Sequence, residues 1–133
     1  MARAARAQGD GVLGVVTEDK LSVLDNCYFS NHYSTTDTAE VVVNFLKNYK
    51  DTYGEDPNAF AALGYDTAYA LAEALKNAES FDHEAVIAAI KAVSIEGVTG
   101  PITFDAETGD AVKAAAVTKI VNGTYELAAK VSE

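Results

Sequence analysis

The chain has 133 residues, 49 % hydrophobic and 23 % charged, with a formal net charge of −10 at pH 7. That is the size and composition of one globular domain with enough apolar sequence for a core. The acidic balance, with 10 scattered Lys and Arg, repels phosphate backbones and excludes nucleic acid as a partner. No uninterrupted apolar run is long enough to cross a bilayer.

In chain order, Met1 to Gln8 is Ala- and Arg-rich and reads as the tail of a helix, broken by Gly9-Asp10-Gly11. It lacks the apolar segment and cleavage site of a secretory signal. Val12 to Val16 reads as extended and Glu18 to Leu24 as a short helix. After a turn at Asp25-Asn26, Cys27 to Phe29 is a strand by its aromatic content. Cys27 is the only cysteine, so no internal disulfide forms. It is expected to be a small buried residue of that strand, not a nucleophile, since His32 lies beyond the strand's end.

Ser30 to Thr36 is polar loop. Asp37 and Glu40 have the spacing of a capping box. They open an amphipathic helix to about Tyr53, with Val42, Phe45, Leu46, Tyr49 and Tyr53 on one face. Gly54 stops it, and Pro57 suits the first turn of the next helix. Pro57 to Glu79 reads as one long helix, apolar on most of its circumference. Only Asp66, Glu73, Lys76 and Asn77 form a polar stripe, so the helix is expected to be packed on several sides. A third helix follows, capped by Asp82, with Phe81 as a hydrophobic staple to Val86. Val86, Ile87, Ile90 and Val93 form its expected buried edge. Gly97 to Pro101 reads as a linker or crossing segment, Ile102 to Phe104 as a strand, and Asp105 to Asp110 as an acidic turn. Ala114 to Val121 and Thr124 to Val131 form a hairpin about Asn122-Gly123. A block of helices with so few strands cannot complete a doubly wound fold, which suggests a piece of something larger.

Short motifs add no chemistry. Gly9, Gly11 and Gly14 spell G-x-G-x-x-G, but helical residues precede them and extended ones follow, the reverse of a dinucleotide site. Asp105, Glu107 and Asp110 lack calcium-loop spacing. His32 and His83 have no ligand partner at metal-binding spacing. No cofactor, no metal and no enzyme activity are expected.

The runs YFSNHYS (Tyr28 to Ser34), NFLKNYKDTYGEDPNAFAALGYDTAYALAEAL (Asn44 to Leu75) and EGVTGPITFDAETGD (Glu96 to Asp110) resemble the C-terminal part of a type I periplasmic solute-binding protein. The pattern is most similar to the branched-chain amino acid (Leu/Ile/Val) binding proteins of ABC importers. The resemblance runs from about Gly9 to the C-terminus. It implies an α/β, type I periplasmic-binding-protein-like fold, present in part, with a central helical block and a C-terminal β-hairpin. Residues 9–34 and 97–133 would lie towards one lobe and 35–96 towards the other, with Ser30 to Ser34 and Gly97 to Pro101 similar to the crossings between lobes.

The resemblance also implies a site. Asp10 matches the glycine-flanked acidic residue that pairs with the ligand's α-ammonium, a charge-assisted bond in a poorly solvated cleft. Phe60 matches an aromatic that lines the ligand's side-chain pocket. Val12 stands where the family often carries Trp, which alters the pocket wall. The implied partners are an amino acid and an ABC permease, in an extracytoplasmic location. Because the family holds the ligand's carboxylate from earlier in its chain, this chain is expected to be a C-terminal fragment. Alone it should bind amino acids weakly or not at all and self-associate through uncovered apolar surface. The alternatives are a sensory or regulatory ligand-binding module on the same fold and a small self-standing interaction domain.

Overall fold

The computed structural model describes residues 13–14 and 16–132. The expected N-terminal helix tail, Asp10, and Gly9 and Gly11 lie outside the described residues. Leu13 and Gly14 take 3-10 geometry instead of the expected extended form. A 3-10 helix follows at Glu18–Leu24. Then come β1 (Tyr28–Asn31), α1 (Glu40–Tyr53), α2 (Ala59–Asn77), α3 (His83–Lys91), β2 (Ser94–Gly97), β3 (Gly100–Phe104), β4 (Ala111–Lys113), β5 (Ala115–Val121) and β6 (Thr124–Val131).

The strands form two three-stranded antiparallel sheets, ordered β1-β5-β6 and β2-β3-β4. Tyr28 opposes Lys119 and Asn31 opposes Ala116, so β5 is paired on both sides. The turn joining β5 to β6 is the expected one: Asn122 and Gly123 have φ of 50° and 73°, the paired positive values of a type I′ turn. The register of β6 slips between Val117 and Thr118, which leaves Ala128 as a bulge. Leu127 N–H, turned away there, donates to Thr36 Oγ1 at 3.0 Å. Lys130 pairs with Asp37 at 2.5 Å, so β6 holds the segment that leads into α1.

Helix α1 ends as expected. Gly54 has φ 76° and its N–H donates to Lys50 O at 2.8 Å, a left-handed cap that glycine adopts without strain. Its start differs. Asp37 Oδ1 accepts from Ala39 N–H at 3.0 Å, and Ala39 is the capping residue, so the capping box does not form. Helix α2 begins at Ala59 instead of Pro57; Asn58 caps it by accepting from Ala61 N–H at 3.0 Å. Pro57 lies just outside, buried, with its carbonyl accepting from Tyr33 Oη at 2.7 Å.

The core is in two parts. Val42 and Phe45 of α1 pack with Ala59 and Ala62 of α2, Tyr33 and Val98. Ala70 and Ala74 of α2 pack with Val93, bordered by Ile90, Ile95 and Phe104. Burial of Phe45, 3 % exposed, is worth about 1.5–3 kcal/mol. The buried stripe of α2 is Ala59, Ala62, Asp66, Ala70 and Ala74, small residues that let its neighbours approach closely.

Several expectations are overturned here. Asp66, placed on a solvated stripe, is 3 % exposed, while Phe60, Tyr69, Leu71 and Leu75 face outward. The apolar circumference of α2 is therefore not covered on several sides. Phe81 is 84 % exposed and forms no staple; Asp82 makes no side-chain cap but accepts from Ser80. Of the expected edge of α3, Val93 is buried and Ile87 exposed. Cys27 is exposed, because it precedes the strand and only its backbone carbonyl joins the ladder, accepting from Ile120 N–H at 3.0 Å. Gly97 to Pro101 is not a linker: Val98 and Thr99 form the tight reversal between β2 and β3. The chain passes from one sheet to the other at Ala114, the one residue between β4 and β5.

Candidate ligand cleft

The bond from Tyr33 Oη to Pro57 O brings the end of β1 against the entrance of α2. The β4–β5 connection runs beside them, because β5 pairs with β1. Between these three segments is a cleft of about 530 Å³, lined by Ser30, Asn31, His32, Ala59, Phe60, Ala111, Lys113, Ala114 and Ala115. That size suits a small organic ligand. Phe60, in the first turn of α2, is 61 % exposed and lines it. Asp10, the second residue singled out from sequence, lies outside the described residues. A larger hollow of about 740 Å³ shares Asn31 and includes Phe29, Tyr49, Tyr125 and Thr118. The smaller cleft is the better candidate because it contains Phe60 and a cation.

That cation, Lys113, carried no sequence signal. Its ammonium donates to Thr99 Oγ1. Thr99 Oγ1 in turn donates to Asp66 Oδ2 at 2.6 Å, and the N–H groups of Val98 and Thr99 donate to Oδ1 and Oδ2 at 2.8 Å each. A buried carboxylate thus fixes the β2–β3 turn, and the turn positions the lysine. Burial lowers the Lys113 pKa, and the Asp66 charge opposes that shift.

The remaining polar groups have local roles. Asp105 Oδ1 accepts from Glu107 and Thr108 N–H at 2.9 and 2.7 Å, which makes its acidic stretch a turn. Those N–H groups hold its carboxyl below the usual range, with Thr108 the largest contributor. Among the described residues no cluster of three or more His, Cys, Asp or Glu could hold a metal, and no helix is long and apolar enough to cross a membrane.

Comparison with known proteins places this geometry. A family model described as periplasmic binding protein matches residues 6–124. No curated protein sequence matches the chain. Among solved structures, a leucine-binding protein LivK from Thermotoga maritima is 30 % identical over 90 % of this chain and 35 % of its own, with a TM-score of 0.68. The branched-chain amino acid transporter substrate-binding protein LivJ from Streptococcus pneumoniae, in complex with isoleucine, is 31 % identical over 91 % of this chain and 34 % of its own, with a TM-score of 0.71. A solute-binding protein of an ABC transporter from Rhodopseudomonas palustris BisB5, in complex with 3,4-dihydroxybenzoic acid, is 27 % identical over 96 % of this chain and 33 % of its own, with a TM-score of 0.74. The chain spans about a third of the length of these structures. The family match covers most of the sequence and the fold agrees with it, so the chain belongs to the periplasmic binding protein family and has the type I fold.

Proposed function

We propose that this chain contributes one side of the ligand cleft of an extracytoplasmic solute-binding component of an ABC importer. The carrying observation is Phe60, a large aromatic left exposed in the first turn of α2 at the mouth of a ligand-sized cleft. Function there is capture without covalent chemistry.

The ligand class we infer is a small carboxylate on a compact apolar body. Isoleucine and 3,4-dihydroxybenzoate, carried by two similar structures, share those two features and differ in the ammonium. Phe60 would take the apolar body through dispersion and burial. Asp10 would take an ammonium where the ligand has one, so a branched-chain amino acid is the finer reading. Residues 35–113 would sit in one lobe and the β1-β5-β6 sheet in the other. The pairing of β3 and β4 with β2 supports a division at Ala114 in this proposal, beside the boundary at residue 97 that the sequence suggests. Docking to a permease, and self-association through exposed Phe60, Tyr69, Leu71 and Leu75, belong to the same proposal.

The test is an NMR titration of the whole chain with leucine, isoleucine, valine and 3,4-dihydroxybenzoate into the millimolar range. Shifts confined to the Phe60 cleft, weakened by Phe60→Ala and, for the amino acids, by Asp10→Asn, support the reading. Binding of any of the four that leaves the Phe60 cleft unmoved counts against it.

A further inference from the structure

We propose that the larger hollow, against the β1-β5-β6 sheet, is a second binding site, and that it takes a small phenolic amine: an aromatic ring that carries a hydroxyl and an ammonium. It is separate from the Phe60 cleft, although both touch Asn31, and it does not depend on the solute-binding reading above.

Thr118 carries the inference. It stands directly opposite Phe29 across the β1–β5 ladder, so the two side chains share one face of the sheet. Both residues line the hollow, as does Tyr125, whose ring meets Phe29 edge-on with centroids 5.4 Å apart. Thr118 Oγ1 is buried and has no hydrogen-bond partner. Such a group is already stripped of water in the free protein. A ligand hydroxyl that reaches it therefore gains a bond with no further desolvation cost on the protein side. One staggered step about χ1 lets the threonine hydroxyl turn to face a ligand.

The other walls set the body and the charge of the ligand. The rings of Phe29, Tyr33, Tyr49 and Tyr125 border the hollow together with Leu46. Aromatic walls take a flat apolar body edge-on or offset, and their faces attract a cation. Among the described residues, the charged groups of the lining are the carboxylates of Glu55 and Asp56. Asp56 pairs with Lys50 at 2.9 Å. Glu55 is exposed and enters none of the ion pairs among the described residues. The net charge of −10 over the whole chain draws cations in the same sense. A volume of about 740 Å³ has room for a ligand of one ring. A hydroxyl for Thr118, a ring for the aromatic wall and an ammonium for Glu55 together describe a phenolic amine. A carboxylate in place of the ammonium would face two like charges.

The test is an NMR titration of the full chain with three probes: tyramine; phenethylamine, which lacks the hydroxyl; and para-hydroxyphenylpropionate, which has a carboxylate for the ammonium. Tyramine is expected to bind about fivefold more tightly than either of the others. Independently of any variant, nuclear Overhauser contacts should join its ring protons to the Phe29 ring and the Leu46 methyls. Thr118→Val should erase the preference over phenethylamine and keep the preference over the propionate; Glu55→Gln should do the reverse. Thr118→Val removes an unpaired buried hydroxyl and is expected to stay folded, so its effect on binding is not a loss of structure. Wild-type protein that binds no tyramine, that binds it no better than phenethylamine or the propionate, or that shows contacts only outside the hollow overturns the proposal. The solute-binding reading is judged by its own titration and stands or falls separately.

Discussion

A Cβ on Gly97 would stand 2.7 Å from the Asp66 carboxyl carbon and 2.7–2.8 Å from its two oxygens. The carboxylate cannot swing aside, because three hydrogen bonds hold it in the β2–β3 turn. Glycine at this position is required by what lies above it. Gly97→Ala should therefore destabilise the fold by about 1–3 kcal/mol, as overpacking does, read as a lowered urea midpoint at unchanged slope. Gly64 is the control. It lies in α2 with nothing within 4 Å of an added Cβ, so Gly64→Ala should stabilise by about 0.5–1 kcal/mol.

Replacing Asp66 should do more damage than its position on a long helix suggests. Asp66→Ala leaves two buried N–H groups and the Thr99 hydroxyl without their acceptor, at about 1–3 kcal/mol for each unsatisfied group. Asp66→Asn keeps the shape but turns an NH₂ towards a donor. Both variants should lower the thermal midpoint, Ala more than Asn, and hydrogen exchange at Val98 and Thr99 should accelerate first. Unchanged exchange at those two amides would argue against the bracing role.

Thr118 offers the opposite case. It is 2 % exposed and its Oγ1 has no hydrogen-bond partner among the described residues. Thr118→Val keeps the shape and the β-branch and removes the buried hydroxyl. It should raise stability by about 1 kcal/mol in chemical denaturation.

Acid should loosen the strap between β6 and α1. Burial alone would raise the Asp37 pKa, but the Lys130 ammonium and the N–H groups of Ala39 and Thr38 outweigh it and hold it below its ordinary value of 3.8. A group depressed in the folded state contributes stability above its unfolded value, and that contribution is lost as pH falls through the folded value. The wild type should therefore lose stability below about pH 4 more steeply than Asp37→Asn, which has no such proton to take up. Acid titrations followed by circular dichroism decide it; parallel curves would remove Asp37 from the account.

Sequence reading succeeded where the cause was local. Gly54 ended α1 and Asn122-Gly123 turned the last hairpin because each needs only a positive φ at its own position. It failed where the cause was distant. Asp66 looked solvated because a carboxylate on a helix usually is; its partners are the amides of Val98 and Thr99, more than thirty residues away. Gly97 to Pro101 looked like a linker because its glycines signal irregularity, yet one of them makes room for that carboxylate. Phe81 and Cys27 have apolar side chains with no neighbour arranged to cover them, and composition cannot show that. At the cleft, Phe60 was legible only through family resemblance, and Lys113 carried no signal, since its environment comes from a turn and a helix elsewhere in the chain.

Ala114 is all that separates β4 from β5, and so one sheet from the other. Two torsion angles, its φ and ψ, must absorb any rotation between the two sheets along that path. Such a joint transmits torque without slack. An added glycine there would loosen this one connection and, because Ala114 also lines the cleft, would reshape the cleft wall in the same stroke.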